Sequence, residues 1–76
     1  FEGIIISIKS SVLIVELNRY PISGIVETSS IKGDYYEFYE RENLLVGKRN
    51  HKIYRIFDKV KVMVSKVTSD IYFQLL

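Results

Sequence analysis

The sequence predicts an all-β fold, namely a small five-stranded antiparallel barrel. Of its 76 residues, nineteen are Ile or Val, Ala is absent and Pro occurs once. β-Branched side chains fit a pleated, half-buried surface, so this composition favours strands over helices. The stretch Lys59–Ser65 (KVKVMVS) alternates Val with mostly polar residues, the period of two that is typical of a strand with one wet face. A barrel is expected because closure removes the exposed edges of so small a sheet.

Turn residues separate the five predicted strands. In the first strand, Gly3 marks a bulge or a close approach of another backbone. Ser10 and Ser11 turn the chain into the second strand, and a loop containing Pro21 leads to the third. On the wet face of the fourth strand, Met63 is the one apolar exception. The predicted strands are Glu2–Lys9, Val12–Leu17, Gly24–Thr28, Lys59–Ser65 and Ile71–Leu76.

A long excursion, Ser29–Arg55, lies between the third and fourth strands. Within it, Tyr35–Tyr39 and Lys52–Tyr54 are expected to pair as a small hairpin around Gly47–Asn50. The excursion also contains the aromatic run GDYYEFYE at Gly33–Glu40.

Alternation divides the aromatic side chains of that run between two faces. An extended backbone places Tyr36 and Phe38 on one face, with Tyr35 and Tyr39 on the other. We expect one face to pack on the barrel and the other to meet Tyr54 across the hairpin, because such pairs stabilise small sheets.

Length and composition bound the class of protein. Seventy-six residues form one domain, 1–76, and the absence of Cys excludes a disulfide framework or a Cys-based zinc site. The longest apolar runs, Ile4–Ile6 and Val12–Val15, are far too short to span a membrane. Phe1-Glu2-Gly3 lacks the features of a secretory signal, so we expect a cytoplasmic protein without a membrane partner. The missing starting Met suggests a piece of a longer protein.

Charge is unevenly distributed along the chain. The formal net charge is +2, but residues 1–46 hold four basic against seven acidic residues, whereas residues 47–76 hold seven basic against two acidic ones. This asymmetry hints at a polyanion partner for the C-terminal half. Alternatively, these side chains are only the solvated outer faces of strands, since a sequence does not show whether they cluster in space.

The sequence contains few candidate catalytic residues. The candidates are a single histidine, His51, three aspartates in separate turns, Asp34, Asp58 and Asp70, and three loop glutamates, Glu37, Glu40 and Glu42. A lone His needs a partner to act, the aspartates fit turn chemistry, and glutamates in a loop are weak evidence for a metal. No phosphate-binding or HExxH motif occurs. We therefore expect no catalytic or metal-binding residue, and a binding module is the better class.

The order of motifs over all 76 residues resembles an S-one RNA-binding domain, the module named after ribosomal protein S one. More narrowly, it is similar to the C-terminal domain in the RNase R branch of the RNase II exoribonuclease family. The matching motifs are Phe1-x-Gly3-x-Ile5, Val15-x-Leu17, Gly24-Ile25-Val26-x-x-Ser29, Asp34-Tyr35-Tyr36-x-Phe38, Leu45-x-Gly47, Tyr54-Arg55-x-x-Asp58-x-Val60-x-Val62 and Phe73-x-Leu75.

The resemblance implies an OB-fold barrel that grips single-stranded RNA for a processive 3′-to-5′ exoribonuclease. In that family the catalytic, magnesium-binding carboxylates lie in a separate central domain. The implied partners are therefore single-stranded RNA and the catalytic domain of a parent chain. No cofactor is expected in this domain, and magnesium is expected in the parent's catalytic domain.

Several positions depart from the family's pattern. The family's two loop aromatics and its His, which contact bases, are replaced by Ser11, Ile14 and Glu27. Base stacking contributes roughly 1–3 kcal/mol per base, so losing two platforms weakens RNA binding. Phe57 stands where the family uses Gly for a tight turn. The final hairpin is short and lacks a basic residue often found there.

Two hypotheses follow. In the first, the domain still binds RNA non-specifically through its basic groups and residual aromatics, Tyr20 among them. In the second, it has become a structural or protein-interaction domain. The candidate RNA-binding positions are Lys9, Ser11, Ile14, Glu27, Lys32, Tyr35, Tyr36, Tyr54 and Arg55. An evenly spread set of Lys and Arg side chains would favour the second hypothesis.

Overall fold

Eight strands and one 3-10 turn make up the computed structural model, which describes residues 1–76. The elements are β1 (Glu2–Ile8), β2 (Val12–Leu17), β3 (Ser23–Glu27), η1 (Thr28–Ser30), β4 (Tyr36–Tyr39), β5 (Leu44–Gly47), β6 (Ile53–Arg55), β7 (Lys59–Val67) and β8 (Ile71–Leu75). The five predicted barrel strands are therefore confirmed, with ends that shift by at most two residues. No helix in the structure is long and apolar enough to cross a membrane.

Five strands close into a barrel in the order β1-β2-β3-β8-β7. Four of the five pairings are antiparallel, but β3 and β8 run parallel, with Ile25 opposite Tyr72. The predicted barrel is correct, and the prediction of antiparallel pairing was wrong for this one pair. The reason is geometric, because an odd number of strands cannot alternate in direction all the way around a closed ring.

Alternate positions along the barrel strands point inwards and form an entirely apolar core. In β2 the burial alternates, with Leu13 and Val15 fully buried and Glu16 exposed. The fully buried side chains are Ile5, Leu13, Val15, Val26, Leu45 and Val62, and no polar residue is buried with them. Each such side chain contributes about 1.5–3 kcal/mol relative to an exposed one, so the core is the main source of stability.

Two glycines allow close approaches within the barrel. A Cβ atom on Gly3 would lie 2.6 Å from the carbonyl oxygen of Glu16, which confirms the predicted backbone approach at this position. A Cβ atom on Gly24 would lie 2.5 Å from the ring of Phe73. Gly24 therefore lets β3 lie directly against the aromatic ring that β8 contributes to the core.

The excursion forms a three-stranded sheet, β4-β5-β6, instead of the predicted hairpin. Leu44–Gly47 is a strand between the two predicted ones, so Leu45 pairs with Phe38 on one side and Tyr54 on the other. The predicted direct pairing of Tyr35–Tyr39 with Lys52–Tyr54 was wrong. A four-residue strand is too short to show a clear hydrophobic period, although the predicted turn after Gly47 does connect β5 to β6.

The small sheet shares its core with the barrel. Leu45 and Tyr54 belong to the same buried cluster as the barrel residues, and Tyr36 and Phe38 pack against that cluster. Tyr35 and Tyr39 face solvent, so the predicted division of the aromatics between two faces is correct. The expected position of Tyr54 was wrong, because its ring lies on the core side, with its centroid 5.6 Å from that of Tyr36.

A tight turn connects β6 to β7. The amide of Asp58 donates to the carbonyl of Arg55 at 3.1 Å, and the Phe57 amide donates to the carbonyl of Ile5 at 2.7 Å. Phe57 has a φ of 71°, a left-handed conformation that L-residues other than Asn and Asp seldom adopt. This turn therefore forces a bulky residue into a conformation that suits Gly.

Candidate nucleic-acid interface

The outer face of β2 and β3, where the resemblance implies RNA contacts, is mainly apolar at its centre. Ile14 lies opposite Ile25, and Ile25 in turn lies beside Tyr72 of β8. All three side chains are half-buried and point away from the core, because Leu13, Val26 and Phe73 beside them point inwards. The substitution at the predicted position Ile14 thus leaves an aliphatic surface in place of an aromatic platform.

Three more predicted positions gather at one end of this face. The carbonyl of Ser11 accepts the amide of Thr28 at 2.9 Å and its hydroxyl at 3.2 Å, which ties the β1–β2 turn to η1. Glu27, the last residue of β3, lies opposite Val12. Lys9, Ser11 and Glu27 are all exposed, so this end carries one positive and one negative charge.

Lys32 and Tyr35 lie on the chain between η1 and β4. Both are exposed, and 77% of the Tyr35 surface is open to solvent. The Tyr35 amide donates to Asp34 Oδ1 at 2.7 Å, and its carbonyl accepts the Lys48 amide at 2.9 Å. Its backbone is therefore held in place while its ring is free to meet a ligand.

Tyr36 and Tyr54 pack together, but Tyr54 is mostly enclosed. Only 7% of Tyr54 is exposed, and burial raises the pKa of its hydroxyl above the ordinary 10.0, an effect that the nearby Lys52 ammonium opposes. Lys52 Nζ lies 5.1 Å from the Tyr54 ring centroid. The Tyr36 hydroxyl accepts a hydrogen bond from Asn50 Nδ2 at 3.3 Å. Packing is the main role visible for Tyr54, and its assignment as an RNA contact stays a prediction.

Arg55 is exposed at the end of β6. Its backbone amide donates to Asp58 Oδ2 at 2.8 Å, so the turn is closed by the aspartate while the guanidinium extends into solvent. The neighbouring Phe57 is 72% exposed. The structure therefore groups Lys9, Ser11, Ile14 and Glu27 at one region of the barrel and Tyr36 with Tyr54 at another, and it does not join the two groups.

A basic groove of about 330 Å³ lies between the small sheet and β7. Lys52, Lys59 and Lys61 line it together with Tyr54 and Asp58. An adjoining groove of about 610 Å³ shares Lys61 and adds Arg19 and Tyr20. The one ion pair of the structure, Lys48 Nζ to Glu37 Oε1 at 3.1 Å, lies outside both grooves. Four basic side chains thus line two adjoining grooves without an ion-pair partner, and the carboxylates of Glu2 and Asp58 line the same surface.

Metal-binding groups are not assembled anywhere on the surface. No cluster of three or more His, Cys, Asp or Glu side chains has an arrangement that suits a metal ion. Asp34 instead accepts the amides of Tyr35, Arg49 and Asn50 at 2.6–2.8 Å. Its carboxylate therefore joins the β5–β6 turn to the start of β4, in agreement with the turn chemistry expected from the sequence.

An apolar groove of about 340 Å³ lies at the end of the barrel that holds the β7–β8 turn. Its eight lining residues are all hydrophobic, namely Phe1, Leu17, Tyr20, Ile22, Val64, Val67, Ile71 and Phe73. The rings of Phe1 and Tyr20 meet edge to face, with centroids 5.9 Å apart. Val67 is 67% exposed. Contiguous exposed apolar surface of this kind is often an interaction site.

Comparison with known proteins agrees with the sequence motifs. No protein-family model matches the chain. Ribonuclease R 1 of Lactococcus lactis is 35% identical over 79 residues, which cover 100% of this chain and 10% of the relative. Ribonuclease R of Escherichia coli is 36% identical over 70 residues, or 92% of this chain and 9% of the relative. The chain is homologous to a segment of ribonuclease R. The resemblance to the RNase R branch is thereby confirmed.

A solved RNase R has the same fold over the whole of this chain. The Mycoplasma genitalium RNase R, solved in complex with ribose methylated single-stranded RNA, matches 100% of this chain and 12% of its own length. The TM-score is 0.95 at 22% sequence identity. The chain spans about a tenth of the length of the RNase R relatives that it matches.

Two side chains at the edge of the barrel's outer face, Lys66 and Tyr72, were not among the RNA-binding positions predicted from the sequence. A shift in register between Val64 and Lys66 turns Lys66 outwards, where strict alternation would turn it inwards. Lys66 Nζ then lies 4.5 Å from the centroid of the Tyr72 ring. The aromatic on β8 was visible in the sequence, but nothing in the strand pattern indicated the bulge that places a cation over it.

Proposed function

We propose that this chain is an accessory domain that binds single-stranded RNA without sequence specificity for an RNase R-like 3′-to-5′ exoribonuclease. The observation that carries the proposal is the unpaired cluster of Lys52, Lys59 and Lys61 in the basic groove, which Arg19 extends. A concave row of cations suits the phosphate backbone of a single strand. Homology to RNase R supports RNA as the polyanion.

Non-specific binding follows from the chemistry of this surface. Lysine ammonium groups bind phosphates as point charges and do not distinguish bases. The positions where the family has base-contacting groups are Ser11, Ile14 and Glu27, which offer no aromatic face. Most of the affinity should therefore come from the release of counterions and should depend on salt.

The rest of the proposal concerns a longer parent chain. In this proposal the 76 residues are a single S-one type OB domain. The relatives are about ten times as long as the matched segment. Hydrolysis and the bound magnesium would belong to the parent's separate catalytic domain, toward which this domain would lead the RNA. We place such a parent in the cytoplasm. The domain itself would have no catalytic role, in keeping with its scattered carboxylates.

The test is a titration of the 76-residue chain with a fluorescent oligouridylate of about 12 nucleotides, a length that one OB fold can cover. Between about 50 and about 200 mM salt, the logarithm of the binding constant should fall linearly with the logarithm of the salt concentration. The expected slope is about −0.7 per phosphate contacted. Absence of binding at the lower salt concentration, or binding that salt does not weaken, would contradict the proposal.

The apolar groove favours a second candidate function, docking on another part of the parent chain. Hydrophobic side chains such as Val64 and Val67 at a barrel end are exposed in this domain, and a parent ten times its size supplies protein surface to cover them. Such a contact would hold the barrel in a fixed orientation on the enzyme. It is compatible with RNA binding in the basic groove, because that groove and the apolar groove share no lining residue. The adjoining groove shares only Phe1 and Tyr20 with the apolar groove.

A substitution in the full-length parent separates the two functions. Val67→Ser is expected to leave RNA binding by the 76-residue chain unchanged and to make the linker to this domain more sensitive to limited proteolysis in the parent. Ile6→Ser, which also replaces an exposed apolar side chain but on β1, serves as the control. Equal proteolysis of both variants and the unmodified parent would rule out docking through this groove.

A further inference from the structure

We propose that Tyr72 and Lys66 form a base-stacking site on the outer surface of β7 and β8. The inference rests on the proposed RNA-binding function and adds a contact that none of the predicted positions provides. It assigns one base to the Tyr72 ring and one neighbouring phosphate to the Lys66 ammonium.

The first support is the orientation of the Tyr72 ring. Tyr72 lies beside Ile25 in the parallel β3–β8 pair, while the adjacent Phe73 is 2% exposed and points into the core. Tyr72 therefore points outwards, at the edge of the apolar surface formed by Ile14 and Ile25. A half-buried ring supported by aliphatic neighbours offers a base a firm apolar surface at a small cost in side-chain entropy.

The second support is the local bulge that brings a cation to the ring. Ser65 is the extra residue between Val64 and Lys66, and its hydroxyl donates to the Tyr72 carbonyl at 3.2 Å. This hydrogen bond fixes β7 against β8 at the bulge. Lys66 consequently lies opposite Tyr72, with Nζ 4.5 Å from the ring centroid, within the range of a cation–π contact.

A base and the ammonium group can exchange places on the ring. Lys66 is exposed, and a solvent-exposed cation–π contact is weak, so the flexible side chain can leave the ring without large loss. A stacked base covers more of the ring than an ammonium does. Once displaced, the ammonium lies beside the strand and is available to the phosphate of the stacked nucleotide.

The position of the pair fits a path that starts in the basic groove. Lys61 lines that groove, and Lys66 lies five residues further along the same strand, about 15 Å away at the rise of a β-strand. An extended RNA strand covers this distance with a few nucleotides. Neither Glu27 on β3 nor Asp70 in the β7–β8 turn forms an ion pair with Lys66. The path therefore continues along one lysine-bearing strand.

Two probes distinguish stacking from charge. The 76-residue chain is titrated with labelled oligouridylate and with an abasic oligomer of equal length, which offers phosphates but no bases. Tyr72→Leu should weaken oligouridylate binding about thirtyfold, the middle of the range for loss of one stacked base, and leave abasic binding unchanged. Tyr72→Phe retains the ring and should bind both probes like the unmodified chain.

Matched variants test the two residues separately. Lys66→Gln should weaken binding of both probes and reduce the salt slope by about 0.7, as expected for one lost phosphate contact. Tyr39→Leu removes an exposed tyrosine of β4 that lines neither groove, and it should change the binding of neither probe. Thermal unfolding of each variant checks that the fold is intact.

The outcomes separate this inference from the proposed function. If the unmodified chain binds neither probe at low salt, the proposed function fails and the stacking site fails with it. If it binds both but Tyr72→Leu behaves like Tyr39→Leu, or weakens both probes equally, only the stacking site is overturned. Should Tyr72→Leu not fold, the ring protons of Tyr72 in the unmodified chain are followed by NMR, where oligouridylate must shift them and the abasic oligomer must not.

Discussion

Phe57 shows how a single residue can be at odds with its backbone. Its φ of 71° and its position third in the Arg55–Asp58 turn are those of the Gly position in a type II turn. We predict that Phe57→Gly raises the free energy of unfolding by about 0.5–1 kcal/mol, because relief of left-handed strain exceeds the added chain entropy. Since the side chain is 72% exposed, little buried area is lost. Urea unfolding measures the difference.

Phe57→Ala is the matched control for this prediction. Alanine removes the same exposed ring but retains Cβ, and with it the steric cost of the left-handed conformation. It should therefore show no gain in stability. A gain equal to that of Phe57→Gly would mean that the exposed ring, and not the backbone, limits stability at this position.

Asp34 links stability to pH. The amide of Asn50, followed by those of Arg49 and Tyr35, donates to the carboxylate and holds its pKa below the ordinary 3.8. Because the pKa is lower in the folded state than in the unfolded state, the ionised group stabilises the fold above about pH 3.8. This contribution is lost as the pH falls from there through the folded-state pKa.

Asp34→Asn should therefore lower the melting temperature at neutral pH, and the difference from the unmodified chain should shrink as the pH falls below 3.8. Melting curves over this pH range measure the effect. Asp70→Asn is the control, since the Asp70 side chain accepts no hydrogen bond. A difference for Asp34→Asn that stays constant down to the lowest pH would exclude an electrostatic origin.

At the scale of secondary-structure elements, the pairing of β3 with β8 depends on Gly24. Because a Cβ atom on Gly24 would lie 2.5 Å from the Phe73 ring, Gly24→Ala must displace either the ring or the strand. We predict that it lowers the free energy of unfolding by about 1–3 kcal/mol, the usual range for overpacking. Chemical denaturation provides the measurement.

A double-mutant cycle tests the stated cause. Phe73→Leu shortens the side chain that meets the new methyl group, so Gly24→Ala should be less harmful in that background. Additive effects of the two substitutions would show that Gly24 acts through backbone conformation and not through its approach to Phe73.

On the scale of the whole molecule, the barrel and the small sheet should unfold together. Leu45 of β5 is fully buried in the same cluster as Val62 of β7. Leu45→Ala is predicted to destabilise the entire chain by about 3 kcal/mol through lost burial and the cavity left behind. Native-state hydrogen exchange should show the amides of Leu45 and Val62 opening with similar free energies.

Leu44→Ala, on the same strand but at a half-buried position, is the control and should have a smaller effect. If Leu45→Ala accelerates exchange only within β4, β5 and β6, the small sheet is an independently opening unit. The excursion would then be an attachment to the barrel instead of a part of its core.

Basic residues from separate elements form one charged surface only in the folded molecule. Lys52 precedes β6, whereas Lys59 and Lys61 belong to β7, and the tight turn after Arg55 brings these elements side by side around one groove. The basic C-terminal half visible in the sequence thus becomes a surface. The remaining basic residues, such as Lys9 and Lys32, lie elsewhere on the molecule.

Prediction from the sequence succeeded where a pattern is local and repeated. The alternation in Lys59–Ser65 and the Ile and Val runs were sufficient for the barrel strands, because a strand with one buried face needs an apolar residue at every second position. The motifs also indicated the RNase R branch. The strand Leu44–Gly47 was not predicted, because four residues are too few to show a period. Its position between β4 and β6 is visible only in the folded sheet.

What the sequence determined by itself was therefore the β class, the number of barrel strands, the family resemblance and the charge asymmetry. Only the tertiary structure decided that β3 runs parallel to β8, that Tyr54 lies inside the core, and that Lys66 lies over Tyr72. These features depend on ring closure, shared burial and a one-residue bulge. The first two are relations between segments distant in the chain, and the third is a local bulge within the β7–β8 hairpin. None of the three follows from the alternation of residues along a single strand.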